Sequence, residues 1–278
     1  MPFDASLYLL LLTAGVATFT TLFYVTVVFL IAQLKSDNSV MDIFYGPAFA
    51  VLAWVLVLLM LPAQEVHTSN LLIAVLTSIW ASRLCIRIAR KNWGKPEDAR
   101  YGAWREQWMK RGRLYFIFRS YFQINVLQGL IIVLVSLPMI IASTFASASG
   151  YQNFLLAGAA VWLLGLLIEA TADYQLDRFI ARKKAGTESS PLMQTGLFAY
   201  ARRPNYFGES LIWWGFAIMV LPLPYGWLGL VSPLLITFIL TRVTGPMLEE
   251  IFLEKYPTEY AAYMKSTSYF IPWWPKRD

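Results

Sequence analysis

Six charged side chains of this sequence lie within long apolar segments, where an isolated charge is costly. On membrane-insertion scales a carboxylate or guanidinium at the bilayer centre costs at least about 2.5–3.5 kcal/mol, so a charge that persists there usually faces a protein interior or a water-filled cavity. A long side chain can also snorkel from a helix end to the membrane surface, which explains any single member better than it explains the group. We therefore expect the six to line one cavity that opens to the cytosol. They are Asp42, Arg83, Glu169, Asp173, Glu209 and Arg242.

Two of these carboxylates have helical spacing. Glu169 and Asp173 are four residues apart, so on a helix they lie one turn apart on the same face. They repel each other unless a cation or a hydrogen-bond donor lies between them. A basic cluster that follows could bind these carboxylates or the phosphates of a nucleotide, or it could simply mark the cytoplasmic end of the segment. This cluster is Arg178, Arg182, Lys183 and Lys184.

A second basic segment, residues 90–101, mixes cations with glycine, proline and an amide. Asn92 and the backbone near Gly94 can donate hydrogen bonds, while Lys95 and Arg100 supply positive charge, a combination that suits a polyphosphate. No GxGxxG motif precedes a helix, so a dinucleotide would not be held by a Rossmann fold. A thiolate or multi-histidine metal centre is excluded, because Cys85 and His67 are the only cysteine and histidine.

The elements that must position these residues are membrane-spanning helices. Of the 278 residues 58% are hydrophobic and 14% are charged, against roughly 25% charged residues in a soluble domain. The apolar runs are about twenty residues long, as a helix needs to cross the bilayer, and they lack the alternation of barrel strands. We predict an all-α polytopic membrane bundle of seven transmembrane helices. The expected spans are about 7–34, 42–62, 70–89, 120–146, 153–176, 209–222 and 226–247.

Lysine and arginine indicate the orientation of this bundle. Of the 23 basic residues, ten lie between Arg87 and Arg119 and six between Arg178 and Arg203, whereas the predicted loops 62–70, 146–153 and 221–226 contain none. Cytoplasmic loops carry the excess of basic residues, so we predict the N-terminus outside and the C-terminus in the cytoplasm. The net charge of +6 then follows from topology, with anionic lipid or a phosphate-bearing ligand as further partners and no nucleic acid.

The segment GLFAYARRPNYFGE at 196–209 is the most distinctive part of the chain. It resembles the signature of the steroid 5-alpha-reductase family and its bacterial relatives, in which a GLF/W-x-Y-x-R-H-P-N-Y-x-G-E segment leads into a tryptophan-rich span, matched here by IWWG at 212–215. The resemblance runs from about residue 80 to the end. Arg203 stands where the family has a histidine, so the role of that imidazole does not carry over. Further matches begin at Asn125 (NVLQG), Glu169 (E-x-x-x-D-x-Q-x-x-x-F) and Thr244 (TGP-x-x-E).

The resemblance implies NADPH as the hydride donor and a single reductase domain over 1–278. In that domain N-terminal spans and a cytoplasmic loop reach to about 119, and a cofactor-binding part runs from about 120. The resemblance assigns the nicotinamide end to Asn205 and Tyr206, the ribose hydroxyls or their supporting network to Glu209 and Asp173, and the adenosine half to Asn92. Arg202 is also assigned to cofactor binding. The phosphates are assigned to Arg242, Lys95 and one of Arg178, Arg182 and Lys184.

The implied acceptor is the carbon–carbon double bond of a 3-oxo-Δ4 steroid or a similar enone lipid. Hydride addition moves negative charge to the carbonyl oxygen, so the site needs a hydrogen-bond donor there and an apolar pocket. In the steroid reductases a glutamate of the second span and a tyrosine of the third supply that donor. Tyr45 aligns near the glutamate, and Trp80, Ser82 or Arg83 near the tyrosine. Tyr45, oriented by Asp42 or polarised by Arg83, is then the expected acid, although an interfacial aromatic is an alternative interpretation.

Two other functions are compatible with a membrane bundle. Methyltransferases of isoprenylcysteine and phospholipids carry a related R-H-P-x-Y-x-G segment and use S-adenosylmethionine, but that cofactor has no phosphate to engage the many basic residues. A transporter or receptor is the third interpretation, and the sequence shows no internal repeat of the kind common in transporters. The reductase interpretation predicts an enone lipid and membrane lipids as partners, a monomer or weak oligomer, and a location in a bacterial inner membrane.

Overall fold

A computed structural model describes residues 5–60, 68–145 and 151–276 of the chain. These parts are mainly helical, and within them the only β-type pairing is an isolated parallel bridge between Ala201 and Ser268. The all-α prediction is therefore confirmed for the described chain. His67 lies outside the described residues, as do parts of the predicted loops 62–70 and 146–153.

Ten helical segments of eight or more residues follow one another along these residues. Two of them contain a π-helical turn, at Ser120–Val126 in α5 and at Ile239–Thr244 in α9. Such turns are rare and occur frequently at functional sites. The segments are α1 (Ala5–Lys35), α2 (Val40–Met60), α3 (Thr68–Asn92), α4 (Ala99–Met109), α5 (Arg113–Val135), α6 (Leu137–Thr144), α7 (Tyr151–Lys184), α8 (Pro204–Val220), α9 (Gly226–Lys255) and α10 (Pro257–Ser266).

Six of these helices, α1, α2, α3, α5, α7 and α9, are long and apolar enough to cross a membrane. The chain is thus a multi-pass membrane protein. The predicted span at 209–222 corresponds to α8, which has 17 residues and is shorter than the roughly 20 residues that a perpendicular crossing needs. Pro204 starts this helix, and Pro222 and Pro224 follow its end, so its length is limited on both sides. The count of seven spans is therefore not confirmed, and the orientation stays a prediction.

The chain forms two compact units. The first comprises Met1–Tyr151 with Pro222–Leu228, and the second comprises Gln152–Leu221 with Gly229–Asp278. The second unit begins at Gln152, and the start of the cofactor-binding part at about residue 120 stays a prediction. Helix α5, which carries the NVLQG segment that begins at Asn125, belongs to the first unit.

In the first unit α2 and α3 form a closely packed antiparallel hairpin. A Cβ atom on Gly46 would lie 3.3 Å from the carbonyl oxygen of Ala81, so a small residue is needed at this contact. Further along the hairpin the indole Nε1 of Trp54 donates a hydrogen bond of 2.9 Å to Ser78 Oγ. The core beside the contact contains fully buried Phe49 and Trp80.

In the second unit glycines bring α7 and α8 into backbone contact. A Cβ atom on Gly165 would lie 2.6 Å from the carbonyl oxygen of Gly208, and one on Gly158 would lie 2.5 Å from that of Gly215. Contacts of this kind between small residues are typical of helix packing in membranes. Because residue numbers rise along α7 as they fall along α8, the two helices are antiparallel, and the C-terminal half of α7 lies beside the start of α8.

Candidate functional site

Asp42, in the first turn of α2, is the centre of a polar cluster in the first unit. Its carboxylate accepts a hydrogen bond of 2.6 Å from Tyr101 Oη and one of 3.2 Å from Arg100 Nη2. Arg100 also donates through Nε to Asp98 at 3.0 Å, and Asp98 caps the N-terminus of α4. The cluster therefore fixes α4 to the end of α2 that carries Asp42.

Tyr101 is a member of this cluster, although it is not among the predicted site residues. It is 5% exposed, and burial together with the nearby Asp42 carboxylate raises the pKa of its phenol. The hydrogen bond from Arg100 lowers the pKa of the Asp98 carboxyl. At neutral pH Tyr101 is thus a protonated donor and Asp98 an anion. The available signal was its position next to Arg100, as the last residue of the basic segment 90–101.

Tyr45 lies one helical turn after Asp42 on α2 and is half-buried. Its ring contacts Phe49 edge-on with centroids 5.3 Å apart, and Phe49 contacts Trp80 in the same way at 5.6 Å. Arg83, also half-buried, follows two residues after Ala81, which packs against Gly46. The structure therefore places the expected acid Tyr45 and the expected cation Arg83 at one level of the α2–α3 hairpin.

A cavity of about 250 Å³ lies beside the segment that was expected to clamp a polyphosphate. Its lining includes both residues assigned there to the cofactor, Asn92 and Lys95, together with the carboxylates of Asp37 and Asp98. The exposed Lys95 ammonium donates to the carbonyl oxygen of Lys91. The positive charge of this cavity is thus partly offset by two carboxylates, one of which, Asp98, belongs to the basic segment itself.

In the second unit the carboxylates of Glu169 and Asp173 are both 4% exposed. A Cβ atom on Gly208 would lie 2.6 Å from the backbone nitrogen of Glu169, so the glycine allows α8 to pack directly on this residue. Asp173 is one turn further along α7, and the antiparallel register puts it at the level of the first turn of α8. That turn carries Asn205 and Tyr206, and Glu209 follows Gly208; all three are half-buried. The structure therefore brings these predicted residues of one unit to a common level.

Arg202 is buried and has structural partners. Its Nε and Nη2 atoms both lie 2.8 Å from Glu249 Oε1, and Nη1 donates to the carbonyl oxygens of Thr267 at 2.6 Å and Met264 at 3.2 Å. Its backbone N–H donates to Ser268 O. The guanidinium that was expected to contact the cofactor thus joins the signature segment to α9 and to the chain after α10.

Arg203, the residue that replaces the family's histidine, has hydrogen-bond donor atoms without an acceptor among the described residues. Its Nε and Nη2 atoms are buried without a hydrogen-bond partner in the part of the chain that the structure describes. The guanidinium lies over the Phe252 ring at 5.3 Å, and its charge opposes the rise in the pKa of Tyr260 that burial causes. Arg203 can therefore donate to a ligand at the start of α8.

The remaining basic candidates lie on the surface of the second unit. Arg178 is exposed and donates to Tyr174 Oη at 2.9 Å, and the exposed Arg182 forms an ion pair of 3.1 Å with Glu188. Lys184 and Arg242 are also exposed, the latter in the π-helical turn of α9. Among the described residues no group of three or more histidine, cysteine or acidic side chains could hold a metal ion.

Comparisons with known proteins agree with a partial relationship to steroid reductases. The chain is 38% identical over 63 residues to 3-oxo-5-alpha-steroid 4-dehydrogenase 1 of Bos taurus, which covers 23% of each chain. It is 34% identical over 74 residues to the steroid 5-alpha-reductase DET2 of Gossypium hirsutum, covering 27% of this chain and 26% of that protein. The similarity thus spans about a quarter of the length of these relatives.

Longer similarity is found to proteins without an assigned function. An uncharacterised protein of Schizosaccharomyces pombe is 27% identical over 228 residues, which cover 73% of this chain and 63% of that one. No solved structure matches the chain. Residues 28–267 match the model of a family described as a protein of unknown function, DUF1295. The chain therefore belongs to the DUF1295 family, and one segment of it is similar to steroid 5-alpha-reductases.

Proposed function

We propose that this protein uses NADPH to reduce the carbon–carbon double bond of an enone lipid, such as a 3-oxo-Δ4 steroid, in a bacterial inner membrane. The local similarity to 3-oxo-5-alpha-steroid 4-dehydrogenase 1 supports the reaction class, and six membrane-capable helices suit an apolar substrate. The observation that carries the proposal is the pair of buried carboxylates, Glu169 and Asp173, at the level of the first turns of α8. Such buried acids at membrane depth are usually functional.

The groups at the start of α8 suit the nicotinamide and ribose end of NADPH. The carboxylates of Asp173 and Glu209 can accept hydrogen bonds from ribose hydroxyls, and the amide of Asn205 can both donate and accept. Arg203 adds buried donor atoms that lack a partner in the described chain. When bound, NADPH would supply the hydride. We assign its adenosine to Asn92 and its phosphates to Arg242, Lys95 and one of the exposed residues Arg178, Arg182 and Lys184.

We propose Tyr45 as the group that gives a hydrogen bond, and then a proton, to the carbonyl side of the substrate. Its ring packs edge-on against Phe49, which in turn contacts Trp80, so the side chain that carries the hydroxyl is held in place. A donor aimed at an oxygen that gains negative charge lowers the activation barrier, because the hydrogen bond between them is stronger in the transition state than in the ground state. Asp42 and Arg83 would set its orientation and local charge.

The test uses the purified full-length protein in detergent and in lipid nanodiscs. A ligand at 100 times its dissociation constant stabilises a protein by about 2.7 kcal/mol, so NADPH should raise the melting temperature clearly and S-adenosylmethionine should not. Incubation with NADPH and progesterone should yield a product heavier by two hydrogens, while the same steroid already saturated at Δ4 serves as the control substrate. Stabilisation by S-adenosylmethionine alone would replace the reductase proposal by the methyltransferase.

A further inference from the structure

A second cavity of the first unit, of about 230 Å³, lies between α4 and α5 and is separate from the residues assigned to NADPH and substrate. Two arginines, three aromatic rings and two amides form its walls, and none of these seven residues is acidic. Its lining consists of Trp104, Gln107, Trp108, Arg111, Tyr115, Arg119 and Gln123. Donors of hydrogen bonds, two of them permanently charged, thus dominate the cavity.

Arg119 is the central cation of this cavity. Its guanidinium lies over the ring of Trp108 at 5.5 Å and over that of Tyr115 at 6.0 Å, and Trp108, which is 4% exposed, stacks on Trp104. The Nε atom of Arg119 is buried and has no hydrogen-bond partner among the residues that the structure describes. A buried donor of this kind is costly unless it is satisfied, so the position suits an acceptor atom of a ligand.

Arg111 adds a second positive charge at the same ring. Its Nη1 atom donates to Tyr115 Oη at 3.3 Å, and its guanidinium lies 5.3 Å from the centre of the Tyr115 ring. This side chain is exposed, so it forms the outer wall while Arg119 forms the inner one. Planar guanidiniums bind phosphate oxygens in pairs, which an ammonium cannot do with the same geometry. Because two guanidiniums face this cavity and no acidic side chain lines it, the cavity favours a phosphate ester as its ligand.

The position of the cavity on α5 points to a lipid as the carrier of this phosphate. Tyr115, Arg119 and Gln123 are four residues apart and form one stripe on the first turns of a membrane-capable helix. The adjacent stripe consists of large apolar side chains that are 84%, 59% and 48% exposed, namely Leu114, Phe118 and Phe122. Such a helix end offers cations to a headgroup and apolar area to acyl chains side by side.

We propose that this cavity binds an anionic phosphate ester, with its phosphate between Arg111 and Arg119, and that the headgroup of an anionic phospholipid is the ligand. The neighbouring stripe of Leu114, Phe118 and Phe122 contacts the acyl chains. A zwitterionic headgroup is disfavoured, because its own ammonium would compete with the two arginines for the phosphate. The proposal does not depend on the reductase activity.

The test compares lipids retained by the full-length protein after repeated washing in detergent and after reconstitution into nanodiscs of defined composition. Native mass spectrometry with equal amounts of phosphatidylglycerol and phosphatidylcholine should show preferential retention of phosphatidylglycerol. Arg119→Gln and, as a second variant on the exposed wall, Arg111→Gln should each weaken that binding about tenfold, the lower end of the effect of a charged hydrogen bond. Arg113→Gln, an exposed neighbour outside the cavity lining, is the matched control and should bind as the wild type does.

Soluble ligands distinguish the two sources of phosphate. Inorganic phosphate and glycerol 1-phosphate, titrated against the lipid-depleted protein, should compete with phosphatidylglycerol only weakly, since they lack acyl chains. Full competition by these soluble anions would overturn the lipid as ligand. Equal retention of both lipids, or unchanged binding in both variants at the cavity, would overturn the phosphate site itself.

Discussion

Tyr101 donates a hydrogen bond of 2.6 Å to the carboxylate of Asp42, across 59 residues of sequence. The bond joins α4, which is too short and too polar to span a membrane, to the end of the membrane-capable helix α2. A carboxylate at that depth is stabilised because a phenol and a guanidinium reach it from α4. The pair therefore explains how one of the costly intramembrane charges is accommodated.

Tyr101→Phe removes only the hydroxyl of this pair and should lower the free energy of unfolding by about 1–3 kcal/mol, the cost of an unsatisfied polar group. The melting temperature of the purified protein without added ligand measures the loss. Tyr174→Phe, which removes the hydroxyl of an exposed tyrosine that accepts a bond from Arg178, should change stability by less than about 0.5 kcal/mol. Equal melting temperatures for the two variants would contradict the structural role of Tyr101.

Arg202→Met should destabilise the protein by about 3–5 kcal/mol, because it leaves the carboxylate of Glu249 without its buried partner. Glu249→Gln should lower the melting temperature as well, since it breaks the same ion pair from the other side. Arg182→Met breaks an exposed pair with Glu188 and should cost no more than about 1 kcal/mol. If Arg202→Met folds as stably as the wild type and only NADPH binding is lost, Arg202 binds the cofactor after all.

Gly208→Ala should push α8 away from α7, since the added Cβ atom would lie 2.6 Å from Glu169 N and 2.8 Å from Glu169 Cβ. Overpacking of this kind typically costs about 1–3 kcal/mol, and the displaced carboxylates should weaken NADPH binding in the same variant. The melting temperature without NADPH measures the loss of stability, and its increase on adding NADPH measures the binding of the cofactor. Gly15→Ala is the control, because nothing lies within 4 Å of its added Cβ atom and alanine favours a helix.

Asn205→Ala and Glu209→Ala should each abolish turnover of NADPH while the protein still inserts into the membrane, because both side chains are assigned to hydrogen bonds with the cofactor. Steady-state oxidation of NADPH with an enone steroid measures turnover, and the elution profile in detergent measures folding. Glu250→Ala, which alters an exposed carboxylate of α9, serves as the matched control. Activity within a few-fold of the wild type in both Asn205→Ala and Glu209→Ala would show that the signature segment has another role.

Tyr45→Phe keeps the ring and its contact with Phe49 and removes only the proposed proton donor. We expect kcat to fall by about 10²–10³-fold, as for the loss of one donor to a developing oxyanion, with little change in the affinity for NADPH. Single-turnover rates and equilibrium titration separate the two quantities. Full activity of the variant would move the role to another group, of which Arg83 and the buried Glu169 are the first to test.

The sequence alone determined the features that depend on local spacing. Apolar runs established a helical membrane protein, and the four-residue spacing of Glu169 and Asp173 placed both carboxylates on one face of α7, since neither inference needs more than the geometry of one helix. The signature segment at 196–209 likewise pointed to the reductase resemblance, which the local similarity to steroid reductases supports in part. The exact ends of the predicted span at 209–222 were harder to predict, because α8 begins at Pro204, inside the signature segment.

Only the tertiary structure decided what each charge is paired with. Arg202 reads as a ligand-binding cation in the sequence, but its carboxylate partner, Glu249, is 47 residues away and is reached only when α9 packs on the signature segment. The role of Tyr101 was not predictable from the sequence for the same reason, since its hydrogen-bond partner Asp42 lies on another helix. Local sequence shows that a charge is buried, but pairing depends on contacts between distant helices, and those arise from packing of the whole chain.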